Sequence, residues 1–338
     1  MTVGDGTNTY TVTPTASTFG TAIIYVAIRP VTVALNYTGT NGTNYYTKTA
    51  TSRAYAAGDF FNLGLRMTQV YPFTVSVTGG VAKKVLFSPG NLQAKNTTAN
   101  ATTGWTWSFA AHQYDYIGRA TANTAVGNNL VTTAGTVDLF GWVGNTSSLA
   151  AYGINVNNTE TSYGNSTTNT LKSDWGTAAN TASLGGYTNW RTPTSAEWTY
   201  VFNTRSTSTV NGTANARYTK ATVASKPGVI LFPDAYTHPS GVTAPAGINN
   251  ENTNFTANSY NVTEWTKMEA AGAVFLPAAG YRDGTTVYNP DLYGMYWSST
   301  AYNASKAYRV NFASSYVSPA SNNYRYYGYS VRLVRAVE

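Results

Sequence analysis

The chain has 338 residues, enough for a sizeable core and for more than one domain, and only 10% of them are charged. Cysteine is absent, which excludes disulfides, thiolate metal sites and a cysteine nucleophile. The formal net charge of +7 is spread thinly, with no basic run or helix stripe, so no nucleic-acid partner is expected.

Thr, Asn, Ser and Gly are abundant, and there are 27 tyrosines. This polar, uncharged mixture favours strands and turns and reads as an extracellular or cell-surface β-rich protein. No apolar stretch approaches membrane-spanning length. The opening "MTVGDGTNTY" lacks the basic and apolar regions of a signal peptide and reads as a trimmed start.

In chain order, "GTAIIYVAIRPVTVAL" (20–35) predicts two adjacent strands broken at Arg29-Pro30. Asn41-Gly42 predicts a hairpin turn, and "AAGDFFNLGLRMT" places Phe61, Leu63 and Leu65 on one strand face. Residues 1–78 therefore read as a small, truncated β-sandwich domain. A second unit, 79–338, opens with "AKKVLFSPGNLQ", where Val85 and Phe87 share strand parity and Pro89-Gly90 marks a turn. Asn/Thr/Gly-rich stretches at 94–104, 121–136, 145–170 and 206–216 read as loops. Thr194 and Glu197 predict a capping box for a helix with Trp198, Val201, Phe202 and Arg205 on one face. A second helix is expected in "TEWTKMEAAG", ending near Gly272. These elements predict an α+β fold with little helix.

Two resemblances extend this reading. Tyr45 to Thr49 and Ala56 to Thr68 resemble the end of a fimbrillin-type, immunoglobulin-like domain of Bacteroidales surface proteins. In the second unit "NWRTPTSAEWTYVF" (189–202), "AGAVFLPAAGYRDG" (271–284), "YWSST" (296–300) and "YGYSVRLVR" (327–335) occur in order. They resemble the formylglycine-generating-enzyme type of C-type lectin-like domain. The segment 282–329 resembles the variable region of proteins diversified by retroelements. In that family, errors at template adenines spread Asn codons over residues that exclude Lys, Met, Gln, Glu and Trp. Between Arg282 and Tyr329 only Lys306, Met295 and Trp297 belong to the excluded set.

The composition of 301–329 points the same way, since binding loops use Tyr for rigid contact area and Ser, Asn and Gly for adaptable hydrogen bonds. The expected ligand contacts are Tyr288, Asp291, Tyr293, Tyr302, Asn303, Tyr308, Arg309, Asn311, Tyr316, Asn322, Asn323, Tyr324, Tyr326, Tyr327 and Tyr329. Val331 and Leu333 are expected to face the core.

An enzyme of the formylglycine-generating type needs cysteines, and the chain has none. His112 and His238 sit in no nucleophile motif, so no catalytic residue is expected. "Asn289-Pro290-Asp291" and "Trp297-Ser298-Ser299" lack the carboxylates of a calcium-dependent sugar site, and 249–254 reads as a solvated loop. No metal and no cofactor are expected. Most of the eight tryptophans are assigned to the core. The sequence thus predicts a non-enzymatic, ligand-binding protein of the cell surface or of a phage. Its diversified face would meet an unknown protein or glycan. The alternative is an undiversified pilus or surface adhesin.

Overall fold

The computed structural model describes residues 1–5, 7–11, 26–40, 44–59, 67–101, 104–125, 131–142 and 174–337. Asn41-Gly42, the strand through Phe61, Leu63 and Leu65, residues 20–25 and the loop at 145–170 lie outside the described residues. The chain divides between Pro72 and Phe73 into two units.

The first unit contains β1 (Thr2–Gly4), β2 (Thr9–Thr11), β3 (Val31–Val33), β4 (Asn36–Thr40), β5 (Tyr45–Thr49), β6 (Arg53–Tyr55) and β7 (Thr68–Val70). Five of these form a sheet in the order β2-β1-β4-β5-β7, and β3 pairs with β6. Alternation places Val3 and Tyr37 in a small core with Leu35 and Tyr55. Asp5 accepts the N–H groups of Thr7 and Asn8. The backbone bond from Asn8 is the main reason that its carboxyl ionises well below the usual range.

The second unit runs through β8 (Phe73–Thr78), β9 (Val81–Phe87), β10 (Leu92–Asn96), β11 (Thr106–Phe109), β12 (Gly135–Val137) and β13 (Trp190–Arg191). It continues with β14 (Tyr218–Val223), β15 (Lys226–Leu231), β16 (Ser259–Tyr260), β17 (Val274–Pro277), β18 (Tyr281–Asp283) and β19 (Thr286–Tyr288). The last strands are β20 (Gly294–Ala301), β21 (Lys306–Ala313), β22 (Tyr316–Tyr324) and β23 (Val334–Ala336). The helices are α1 (Thr121–Thr124), α2 (Gly176–Thr181), α3 (Ser195–Asn203) and α4 (Val262–Ala270). β8, read from sequence as the end of the first domain, belongs to the second unit.

The α+β expectation is corrected: strand accounts for 41% of the described residues and helix for 12%, so the architecture is largely all-β, in several small sheets. The two helices legible in the sequence are real but short, and they lie against sheets without forming a layer. In α3 the Thr194 hydroxyl accepts from Glu197 N at 3.1 Å, and the Glu197 carboxylate accepts from Thr194 N at 2.9 Å. Trp198, Val201 and Phe202 then share one buried face. Burying Val201 and Phe202 contributes roughly 1.5–3 kcal/mol each before entropic costs. They join Phe73, Val85, Tyr296, Val310 and Phe312 in one apolar cluster.

The β20-β21-β22 sheet is antiparallel throughout, with Trp297 opposite Arg309 and Arg309 opposite Ser321. Period-two alternation sends Tyr296, Val310 and Phe312 into the α3 cluster. Trp297, Ala307 and Met295 belong to a second cluster with Trp142, Trp190, Tyr329, Val331 and Leu333. Among the described residues no helix is long and apolar enough to cross a membrane.

Candidate tyrosine-lined binding face

The run 324–329 leaves β22 and turns sharply, with Tyr327 N donating to Tyr324 O at 3.3 Å. The next three residues are held from three sides. Gly328 exchanges backbone bonds with Arg282, Tyr329 with Phe140, and Ser330 with Met295 and Trp297. At Gly328 an added Cβ would stand 3.0 Å from both the Arg282 side chain and Leu139 O.

This clamp stacks the tyrosines. Tyr324 and Tyr326 lie with ring centres 5.3 Å apart and planes at 10°. Tyr326 and Tyr327 follow at 4.8 Å, and Tyr327 and Tyr329 at 6.0 Å. Tyr329 ends the column against Trp297 at 4.3 Å. Lys306 Nζ caps the outer end, 4.7 Å above the Tyr324 ring. Tyr327 also meets Tyr281 edge-on at 5.6 Å, and Tyr281 stacks on Tyr288 at 5.4 Å. Tyr288, Tyr281, Tyr327, Tyr326 and Tyr324 therefore form one continuous aromatic surface.

The surface is partly desolvated. Burial pushes the Tyr281 and Tyr316 phenols up, and it pushes Tyr326 up with the Tyr327 phenol as the next cause. These hydroxyls stay protonated near neutral pH and can donate hydrogen bonds. Tyr316 Oη already donates to Asn311 Oδ1 at 3.2 Å.

The backbone around Tyr288 is fixed by close packing. Gly280, at φ +75°, lies so near the 288–290 turn that a Cβ would meet Tyr288 O at 2.3 Å. Asn289 and Asp291 flank Pro290 with φ of 51° and 67°. Asp291 N donates to Ala278 O at 2.8 Å, and the Asp291 carboxylate accepts the Tyr116 hydroxyl.

One expected contact is corrected. Tyr329 is fully buried in the core beneath the surface, because Trp297 and the Phe140 backbone cover it. Arg309 is 7% exposed and lies in the floor of the face. Tyr288, Asp291, Tyr302 and Asn303 are exposed. Tyr293, Tyr308, Asn311, Tyr316, Asn322, Asn323, Tyr324, Tyr326 and Tyr327 are half-buried.

The expected residues do not all gather. Tyr302 and Tyr308 make a pair of their own, edge-on at 5.3 Å. By alternation Tyr308 points to the same side of its sheet as Lys306 and Val310, opposite to Arg309 and Asn311, and it faces Asn322 across the ladder. Asn303 closes the β20–β21 loop by accepting from Ser305 N and Lys306 N. Tyr281 was missed, since it lay in a motif read as fixed framework; its place between two other tyrosines was visible only in the fold. Leu292, 59% exposed beside Tyr288 and Asp291 in sequence, was also missed.

The rival chemistries find these placements. His112 pairs with Asp115 at 2.9 Å, with both side chains exposed. His238 lies 3.1 Å from both the Tyr236 hydroxyl and Val242 O. Among the described residues there is no group of three His, Cys, Asp or Glu that could hold a metal ion. In the 249–254 loop, Asn249 accepts from Arg217 N and Asn254 from Thr256 N, both local roles.

Residues 245–334 match the model of a protein family described as Domain of unknown function (DUF8237). That segment contains all fifteen of the expected contacts. No curated protein and no solved structure matches the chain.

Proposed function

We propose that this chain is a non-enzymatic, ligand-binding protein of the cell surface or of a phage, and that the tyrosine surface is its contact with a protein or glycan. One observation carries the reading: the rings of Tyr288, Tyr281, Tyr327, Tyr326 and Tyr324 are continuous and mostly half-buried, on a backbone clamped from three sides. Tyrosines presented in this way offer large contact area with little rotamer entropy left to lose.

Diversification of this face is part of the proposal. Its support is the resemblance of 282–329 to retroelement-diversified regions, together with the split between buried landmarks and half-buried tyrosines. Trp297, Val331 and Leu333 are fully buried, as a fixed framework requires.

Deep sequencing of this gene across a population of the source cells or phage tests the reading. Substitutions confined to codons of the face, matched to adenines of a nearby near-copy, are the expected result. A uniform sequence, or substitutions spread evenly over framework and face, would overturn diversification and favour the adhesin reading.

A further inference from the structure

Arg309 lies beneath the tyrosine surface, its guanidinium carbon 5.0 Å from the centre of the Tyr329 ring. It is more than nine-tenths buried. Its Nη1 donates to the Met295 sulfur at 2.7 Å, a weak acceptor, and its Nε is buried without any acceptor. Among the described residues Arg309 makes no ion pair. Its charge lies close enough to Tyr281, Tyr316 and Tyr329 to favour their ionised forms, although burial dominates at all three.

This protein satisfies buried arginines elsewhere. Arg332 donates to Asn91 Oδ1, Ser88 O, Gln113 O and Phe275 O. Arg205 donates to Val201 O, Arg217 O and the Asp234 carboxylate. A desolvated cation with an unfilled donor is costly and attracts an anionic acceptor. Where that cation is a guanidinium, the planar fork suits a planar carboxylate, and the apolar surround strengthens the pairing.

We propose that Arg309 is the docking point for a carboxylate of the ligand, the acid reaching it between Tyr281, Tyr316 and Tyr327 while the rings hold the apolar body. This deepens the binding-face reading and rests on it. It concerns this chain's own residue: a copy with a neutral side chain at 309 would lose the acid and keep the surface.

The test uses the whole chain and a shape-matched pair of probes, phenylpropionate and phenylpropionamide, titrated while the Arg309 Nε–H signal is followed by NMR. The acid should shift that signal saturably and bind at least tenfold more tightly than the amide. Arg309→Gln should remove the preference, and Arg309→Lys should keep part of it, since the charge remains without the fork. Near-UV circular dichroism reports whether each variant is folded, and the acid–amide comparison on the natural chain needs no variant. Equal binding of acid and amide, an unmoved Nε–H signal, or no binding at millimolar acid would each overturn the proposal. None of these would touch the binding-face reading, which sequence variation tests. Glucuronate and an N-acetylated glutamate amide, run as further arms, separate an acidic sugar from an acidic peptide as the source of the carboxylate.

Discussion

Around Arg332 all three nitrogens of a fully buried guanidinium meet oxygen acceptors, whereas around Arg309 a nearly buried guanidinium has a sulfur, a ring and a buried Nε without an acceptor. The first arrangement ties the chain at Ser88, Gln113 and Phe275 together and serves the fold. The second leaves part of a charge unspent among tyrosines that are half in water. The contrast separates a framework that is finished internally from a face that is completed by something else. Burial lowers the Arg332 guanidinium to about 10, still well above neutral, so the framework carries a buried charge, which Tyr296 and Glu269 favour.

The sharpest way to break this comparison is to remove Arg332. Arg332→Met strands several buried oxygens and should destabilise the chain by about 3–5 kcal/mol, the scale of breaking a buried charged network. Urea denaturation of the whole chain measures it; a loss below about 1 kcal/mol would show that the framework does not depend on this hub.

Nearly as large is the pH dependence from Asp138. Its carboxylate accepts from Ile117 N at 2.7 Å and Asn123 Nδ2 at 2.8 Å, yet burial pushes it up to about 6 from a reference value of 3.8. The folded state therefore holds this proton more tightly than the unfolded one. The stability that this group contributes is fully present below its unfolded value and is lost as pH rises towards about 6. By linkage the loss is at most about 3 kcal/mol. Urea midpoints in natural chain and Asp138→Asn, compared across that window, should show the fall in the natural chain and a flatter profile in the variant. Equal slopes would remove Asp138 from the account.

Gly280→Ala tests the edge of the face. The new Cβ would collide with the Tyr288 carbonyl at a positive φ, so a loss of about 2 kcal/mol is expected, with altered near-UV signals from the adjoining tyrosines. The smallest effects belong to the face itself. Tyr326→Ala and Tyr327→Ala remove half-buried rings and should cost about 1 kcal/mol or less each in urea denaturation. A loss above about 3 kcal/mol from either would move that ring into the framework.

Much of the framework was legible in the sequence. The capping box at Thr194 and Glu197 announced α3, and parity placed Val331 and Leu333 inward. Both rest on local rules that hold whatever the surroundings. The fold class was misread because two clear helix signals stood out against short, weakly marked strands such as β12 and β18. Tyr329 was misread for another reason. Alternation correctly puts it on the same side as Tyr327, but only a lid formed by Trp297 and by Phe140, far away in sequence, makes one ring buried and leaves the other half-exposed. Tyr302 and Tyr308 share the composition of the other tyrosines, and only the fold shows that their rings pair with each other. Composition says which residue types suit a binding face; it does not say which of them share one.

The central claim is that the tyrosines decorate a framework that folds without them. A library that varies positions 288, 293, 316, 322, 323, 324, 326 and 327 together over Tyr, Asn, Ser, Asp and Ala, displayed on yeast and sorted by protease resistance, tests it directly. The account predicts that most members stay as resistant as the natural chain, while a parallel library at Trp297, Arg332 and Leu333 collapses. If the two libraries lose resistance to the same extent, the distinction between framework and face is wrong.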